Sequence, residues 1–66
     1  MSASTRITRV DVGSVYLTHS GRRLRVTKLR STNGNPVIYY VDESEPSFEH
    51  HAGFVTFAAA VESVLS

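Results

Sequence analysis

The feature that most constrains the fold of this chain is Asn33 followed by Gly34, a dipeptide between two stretches that read as β-strands. Asn-Gly readily adopts the positive φ values of a tight hairpin turn. Before it, apolar and cationic side chains alternate over residues 22–29, and after it residues 37–41 are all apolar or aromatic. Both patterns favour strands. The sequence therefore predicts a β-hairpin whose tip is this dipeptide.

Two shorter strands are predicted upstream of the hairpin, over residues 7–12 and 15–18, because apolar residues alternate with polar ones there. Gly13 separates these two strands. A turn over residues 19–21 then leads directly into the strand of residues 22–29. Short strands joined by tight turns are typical of an antiparallel sheet.

The strand pattern is interrupted at two places. The alternation slips by one residue at Lys28, as it would if a β-bulge inserted one extra residue near this position. Residues 42–47 contain three acids and Pro46. Because proline cannot donate a hydrogen bond to a strand ladder, these residues are predicted to form an acidic loop.

The last part of the chain has a helical pattern. Apolar side chains recur there at intervals of three and four residues: Phe54, Phe57, Ala58, Val61, Val64 and Leu65. This spacing predicts an amphipathic helix over residues 56–64 that lies on the sheet. Strands followed by one helix predict a mainly β fold, either a small bent antiparallel sheet or an SH3-like barrel with a C-terminal amphipathic helix.

Length and composition limit the class of protein. The chain has 66 residues, of which 41% are hydrophobic and 20% charged, which predicts one globular domain over residues 6–66 after a flexible N-terminus of residues 1–5. It has no cysteine, so it is not a disulfide scaffold. No apolar run has the length of a membrane span or a signal peptide, so we expect a cytoplasmic protein without membrane contact.

The order of glycines and apolar residues resembles that of a known group of proteins. The residues concerned are Gly13, Val15, Tyr16, Gly21, Leu24, Val26, Val37, Ile38, Tyr39, Tyr40, Phe54 and Phe57. Their succession is similar to that of short uncharacterised bacteriophage and prophage proteins built on SH3-like barrels, and more loosely to Tudor and KOW-type barrels. The resemblance implies a non-enzymatic accessory protein that acts by binding.

Charge is divided unequally along the chain. All seven basic residues lie within the first 30 positions, and five of the six acids lie from Asp42 onward. Such a basic half can contact phosphates or an acidic protein surface, but it can equally contact its own acidic half. The predicted partner-binding residues are the basic hairpin and the nearby tyrosines: Arg22, Arg23, Arg25, Lys28, Arg30, Tyr39 and Tyr40.

Three interpretations of these residues remain open. Arg and Tyr are enriched in interface hot spots, which favours a protein partner, and the preferred contact is the face bearing Arg23, Arg25 and Tyr40. Cations beside aromatics are also typical of sheets that bind single-stranded nucleic acid or RNA. However, the net charge is only +1 and the isoelectric point of about 8.2 is low for that class. The third interpretation is a solvated strand face partly neutralised by the acidic loop.

No catalytic or metal-binding motif accompanies the charge pattern. His50 and His51 are adjacent, so on a strand they point to opposite faces and do not share one ion. Asp11, His19 and Ser20 lack the glycines of a nucleophile elbow. The carboxylates of residues 42–47 have no apolar wall to raise a pKa. We therefore expect no enzymatic activity, no metal and no cofactor.

The sequence thus predicts a phage-type accessory binding protein that occupies a site on a larger host protein or nucleoprotein complex. It would act as an inhibitor or modulator, for example of a host defence system. The alternative is a small nucleic-acid-binding module that uses residues 22–30 with Tyr39 and Tyr40. The sequence is also compatible with a homodimer.

Overall fold

The structure, a computed structural model, describes residues 9–65. Within them lie five β-strands and one short helix. In chain order these are β1 (Val15–Thr18), β2 (Arg23–Thr32), β3 (Asn35–Asp42), β4 (Glu45–Gly53), α1 (Phe54–Ala60) and β5 (Val61–Val64).

All five strands belong to one antiparallel sheet, in the order β4-β3-β2-β1-β5. The first four pair in succession, and β5 returns to pair with β1. The strands β4 and β5 lie at the two edges of this sheet and do not pair with each other, so the sheet is not closed. The mainly β fold with a small antiparallel sheet is therefore confirmed, and α1 connects the two edge strands.

The central hairpin has the turn and the bulge that the sequence predicts. Asn33 and Gly34 both have positive φ, 52° and 81°, and join β2 to β3 as a two-residue turn. Further along the hairpin, Val26 lies opposite Tyr40, whereas Lys28 lies opposite Tyr39. Thr27 is thus the extra residue of a β-bulge.

The hydrophobic core lies between α1 and one face of the sheet, which we call the inner face. Its buried side chains are Tyr16, Leu24, Val26, Ile38, Phe57 and Val61. Phe57 of α1 meets Tyr16 edge-to-face, with ring centroids 5.5 Å apart. The Tyr16 hydroxyl, in turn, accepts a hydrogen bond of 3.1 Å from the backbone N–H of Asp11. The segment before β1 is thereby tied to the core.

The strand predicted over residues 7–12 lies partly outside the described residues, as do residues 1–5. Its described part, residues 9–12, is not a strand, so that prediction is wrong there. Gly13 has a φ of 90° and donates a backbone hydrogen bond of 2.8 Å to Val26. The chain therefore turns at Gly13 before β1 begins, and no ladder forms upstream of it within the described part.

The acidic loop predicted over residues 42–47 is also wrong. Glu43 and Ser44 form a tight turn instead, and β4 begins directly after it. The Asp42 carboxylate closes this turn, because its Oδ1 accepts hydrogen bonds from the N–H and the hydroxyl of Ser44, at 2.9 and 2.7 Å. Pro46 is tolerated within β4 because an edge strand has one side without a ladder.

The helix is shorter than predicted and is not C-terminal. It begins at Phe54, ends at Ala60 and is followed by β5, which the sequence analysis missed. Val61 and Val64 fit the apolar stripe of a helix, but β-branched residues also favour strands. Pairing with β1 decides between the two patterns, since Val64 lies opposite Tyr16 and Val61 opposite Thr18.

Two positions of α1 test the role of the helix in stability. We expect Phe57→Ala to lower the free energy of unfolding by about 3–5 kcal/mol, because Phe57 is only 2% exposed and its loss leaves a cavity. The matched control is Val55→Ala, where the side chain is 80% exposed and the expected change is within about 0.5 kcal/mol. Urea denaturation followed by circular dichroism measures both, and equal effects would show that α1 does not hold the core.

Candidate functional site

The bulge at Thr27 places four cationic side chains on one face of β2. Residues directly opposite each other in an antiparallel ladder share a face. Arg25 lies opposite Val41, and Lys28 lies opposite Tyr39. Val41 and Tyr39 are two positions apart in β3 and so share a face. Both cations therefore lie on that face, which is the one away from the core. Because side chains alternate on either side of the bulge, the cations on this face are Arg23, Arg25, Lys28 and Arg30, all of them exposed. We call these four residues the basic face.

Tyr39 lies on the same side of the sheet as the basic face. The Lys28 ammonium group is 4.9 Å from the centroid of the Tyr39 ring, within the range of a cation–π interaction. On the other flank, the His51 ring lies 5.5 Å from that of Tyr39. A cation and an imidazole therefore already contact the Tyr39 ring.

Acidic side chains neutralise part of the basic face. Arg25 forms an ion pair with Glu43, and these side chains are 50% and 31% exposed. Glu49 lies opposite Val41, and its carboxylate accepts a hydrogen bond of 2.6 Å from the Thr27 hydroxyl. Within residues 9–65, however, the other three cations of the basic face form no ion pair. The face keeps a positive charge, with two carboxylates set among its cations.

Two of the predicted binding residues lie elsewhere. Arg22 precedes β2 and donates a hydrogen bond of 2.8 Å to Asp42. Tyr40 lies opposite the buried Val26 on the inner face, and its ring centroid is 5.2 Å from that of Phe57. The expectation that Tyr40 shares a face with Arg23 and Arg25 is therefore wrong, because the pairing of β2 with β3 turns Tyr40 toward the core.

Arg22 and Tyr40 instead line an open groove of about 540 Å³ on the inner side of the sheet. Asp42 lies in this groove and is largely buried, with its side chain 11% exposed. Hydrogen bonds from the backbone and then the hydroxyl of Ser44, followed by the bond from Arg22, lower the pKa of Asp42 from 3.8 to about 2. The same ion pair raises the pKa of Arg22.

The Arg22–Asp42 pair holds two turns together. The backbone N–H of Arg22 donates to the Thr18 hydroxyl at 3.0 Å, in the turn between β1 and β2. Asp42 closes the turn between β3 and β4 through Ser44. Both charges are thus occupied in fixing the fold, so this cluster is a structural element and not a free binding site.

The two adjacent histidines lie on opposite faces, as alternation predicts. His50 stacks on Tyr40 on the inner side, with ring centroids 5.5 Å apart, whereas His51 lies by Tyr39 on the outer side. In the described part of the chain, no group of three or more His, Cys, Asp or Glu side chains is arranged to hold a metal ion. None of the helical residues between 9 and 65 forms a segment long and apolar enough to cross a membrane.

The sequence analysis missed two neighbours of the basic face. Glu43 was assigned to a solvated loop, although Asp42 followed two residues later by Ser44 is the signal of an Asx-type turn that would have placed it beside β2. His51 was considered as a metal ligand or an exposed surface residue, and not as a neighbour of Tyr39. Its position beside Tyr39 follows from the pairing of β3 with β4, and no local pattern in the sequence predicts that pairing.

Comparison of the chain with models of protein families, with curated proteins and with solved structures finds no match in any of the three.

The lowered pKa of Asp42 makes a prediction about acid stability. A carboxyl whose pKa falls on folding stabilises the protein above its ordinary pKa, and this contribution is lost as the pH falls through the folded value. For Asp42 the loss occurs between about pH 4 and pH 2. We expect Asp42→Asn to be less stable than the wild type at neutral pH and to lose less stability over that interval.

Urea midpoints measured at several pH values test this expectation. Glu62→Gln is the control, since Glu62 is an exposed acid of β5 without a hydrogen-bonded partner among the described residues. It should keep the acid dependence of the wild type. If Asp42→Asn also keeps it, the Arg22–Asp42–Ser44 cluster is not the source of acid sensitivity.

Proposed function

We propose that this chain is a non-enzymatic binding module whose basic face docks on an acidic surface of a larger host protein complex. The observation that carries this proposal is the bulge at Thr27. Without it, strict alternation would put Lys28 and Arg30 on the inner face, opposite to Arg23 and Arg25. With it, all four cations lie in one exposed row.

The aromatic residues favour a protein partner over a nucleic acid. A sheet that binds single strands stacks successive bases on neighbouring exposed aromatic rings. Here Tyr39 and Tyr40 lie on opposite faces, and Tyr40 contacts Phe57 in the core. Lys28 and His51 already flank the one tyrosine beside the basic face. The basic face therefore lacks a row of stacking platforms among residues 9–65, since the neighbouring rings of Phe48, His50 and Tyr40 lie on the inner side.

The carboxylates among the cations support the same choice. A phosphate backbone presents a continuous line of negative charge, which Glu43 and Glu49 would repel. A protein surface can place its acids opposite the cations and polar or basic groups opposite these two glutamates. The mixed charge pattern of this face is therefore suited to selecting one protein surface.

The size of the domain and its resemblance to phage accessory proteins support a role in occupying a site on a host complex in the cytoplasm. A module of this kind acts by covering a surface that the host complex needs, as an inhibitor or a modulator. It requires no active site, and it needs only a rigid face with a defined charge pattern. The Arg25–Glu43 pair contributes to that rigidity by linking β2 to the turn that precedes β4.

Capture from a bacterial lysate tests the proposal with the protein immobilised. We expect the wild type to retain a protein partner after nuclease treatment. Arg23→Gln combined with Lys28→Gln should weaken binding about tenfold or more, since both cations are exposed on the basic face and lack an ion pair in the described part of the chain. Arg25 is left intact because its ion pair with Glu43 is also structural.

Ala59→Glu combined with Val55→Glu is the matched control. It lowers the net charge by the same amount, at two exposed positions of α1. This variant should bind like the wild type. If both double variants weaken binding equally, the effect comes from net charge alone and contradicts the proposal.

Salt dependence separates the two partner classes. A protein contact should keep much of its affinity between low and physiological salt, because its lifetime depends on desolvated contacts. Binding to single-stranded oligonucleotides with a log–log salt slope of about −0.7 per neutralised phosphate would instead support the nucleic-acid alternative.

A further inference from the structure

A second, apolar surface adjoins one end of the basic face. It is an open groove of about 340 Å³, and its lining includes Arg9, Leu29, Arg30, Ile38 and Phe54. Arg30 belongs to both surfaces, because it lies on the outer face of β2 and also lines this groove. Arg30 is thus the residue at which a partner segment on the basic face meets the groove.

The groove has a rigid floor and an exposed wall. Ile38, at 1% exposure, is part of the core, and the residue opposite it in the ladder is Leu29. Leu29 is 42% exposed although it lies on the inner face. The bulge puts Leu29 on this face, because it shifts the residues after Thr27 by one position. A large apolar residue that stays 42% exposed beside a buried floor leaves apolar surface that a partner group can cover.

The charge at the rim of the groove indicates what kind of partner group fits it. Two arginines line the groove and no acid does. Arg9 pairs with Asp11 at 3.0 Å, whereas Arg30 forms no ion pair within residues 9–65. An apolar side chain flanked by a carboxylate would thus match both the apolar walls and the free cation at the rim.

We infer that the groove receives one large apolar side chain of the partner, flanked by acidic residues that continue along the basic face. This inference rests on the proposed function and adds the chemistry of the partner segment, which is an extended acidic segment with an apolar anchor. The anchor supplies affinity by burial in a preformed groove, and the acids fix its position along β2.

A synthetic peptide of this chemistry provides the probe. It has the sequence Phe-Glu-Thr-Glu-Thr-Glu-Phe, with phenylalanine at both ends so that either chain direction places a ring at the groove. A second peptide has serine in place of both phenylalanines, and a third has lysine in place of the glutamates. We expect the first to bind at least about tenfold more tightly than the second, from the burial of one large apolar side chain, and the third not to bind.

Leu29→Thr is the diagnostic variant, because threonine shortens the apolar wall but retains the preference for a strand. It should weaken the phenylalanine peptide about tenfold and leave the serine peptide unchanged. Val64→Thr is the matched control, at a half-exposed position of β5 away from the groove. It should not alter either affinity. Circular dichroism verifies that both variants are folded, and fluorescence anisotropy measures binding.

Failure of this inference is distinguishable from failure of the proposed function. If both glutamate peptides bind equally and depend on Arg23 and Lys28 but not on Leu29, the groove is not an anchor site and the basic face remains a binding surface. If neither peptide binds, the inferred partner chemistry is wrong, while the lysate experiment decides the basic face separately. An effect of Leu29→Thr that Val64→Thr reproduces would also overturn the inference.

Discussion

The single extra residue at Thr27 is the constraint on which both proposed binding surfaces depend. A strand exchanges its two faces when its register slips by one position. In β2 this exchange moves Lys28 and Arg30 to the outer face and Leu29 to the inner one. One bulge thereby completes the row of cations and also places Leu29, the apolar wall of the groove, beside Ile38. The two surfaces therefore have the same structural cause, and Arg30 belongs to both.

Folding pairs only some of the basic residues in the first half of the chain with acidic residues from the second half. Two of the basic residues of the hairpin meet acids of the β3–β4 turn, in the pairs Arg22–Asp42 and Arg25–Glu43. The first pair joins two turns on the inner side and the second borders the outer face. Lys28 and Arg30 lie further along the hairpin, away from this turn. Arg23 lies beside the turn, and its backbone carbonyl accepts a hydrogen bond from the N–H of Glu43, but its side chain forms no ion pair within residues 9–65. The fold thus uses part of the charge for its own stability and leaves part for a partner.

Sequence reasoning succeeded where the signal is local and failed where it depends on distant pairing. The positive φ of Asn33 and Gly34 and the bulge beside Lys28 follow from neighbouring residues, and both are confirmed. The strand β5 could not be found in this way, because its valines fit a helix equally well and only their pairing with β1 decides. The side of the sheet that Tyr40 occupies likewise depends on the register of β2 and β3 together.

The pairing of β5 with β1 also has a consequence for the order of assembly. These strands lie near opposite ends of the described chain, and yet they are neighbours in the sheet. A contact of such long sequence separation carries a high entropic cost of loop closure and slows folding. During synthesis, one edge of β1 therefore stays unpaired until β5, the last strand in chain order, has left the ribosome. The contacts of the hairpin formed by β2 and β3 are local, so this hairpin can form much earlier. The basic face can then be exposed before the core beneath α1 is complete.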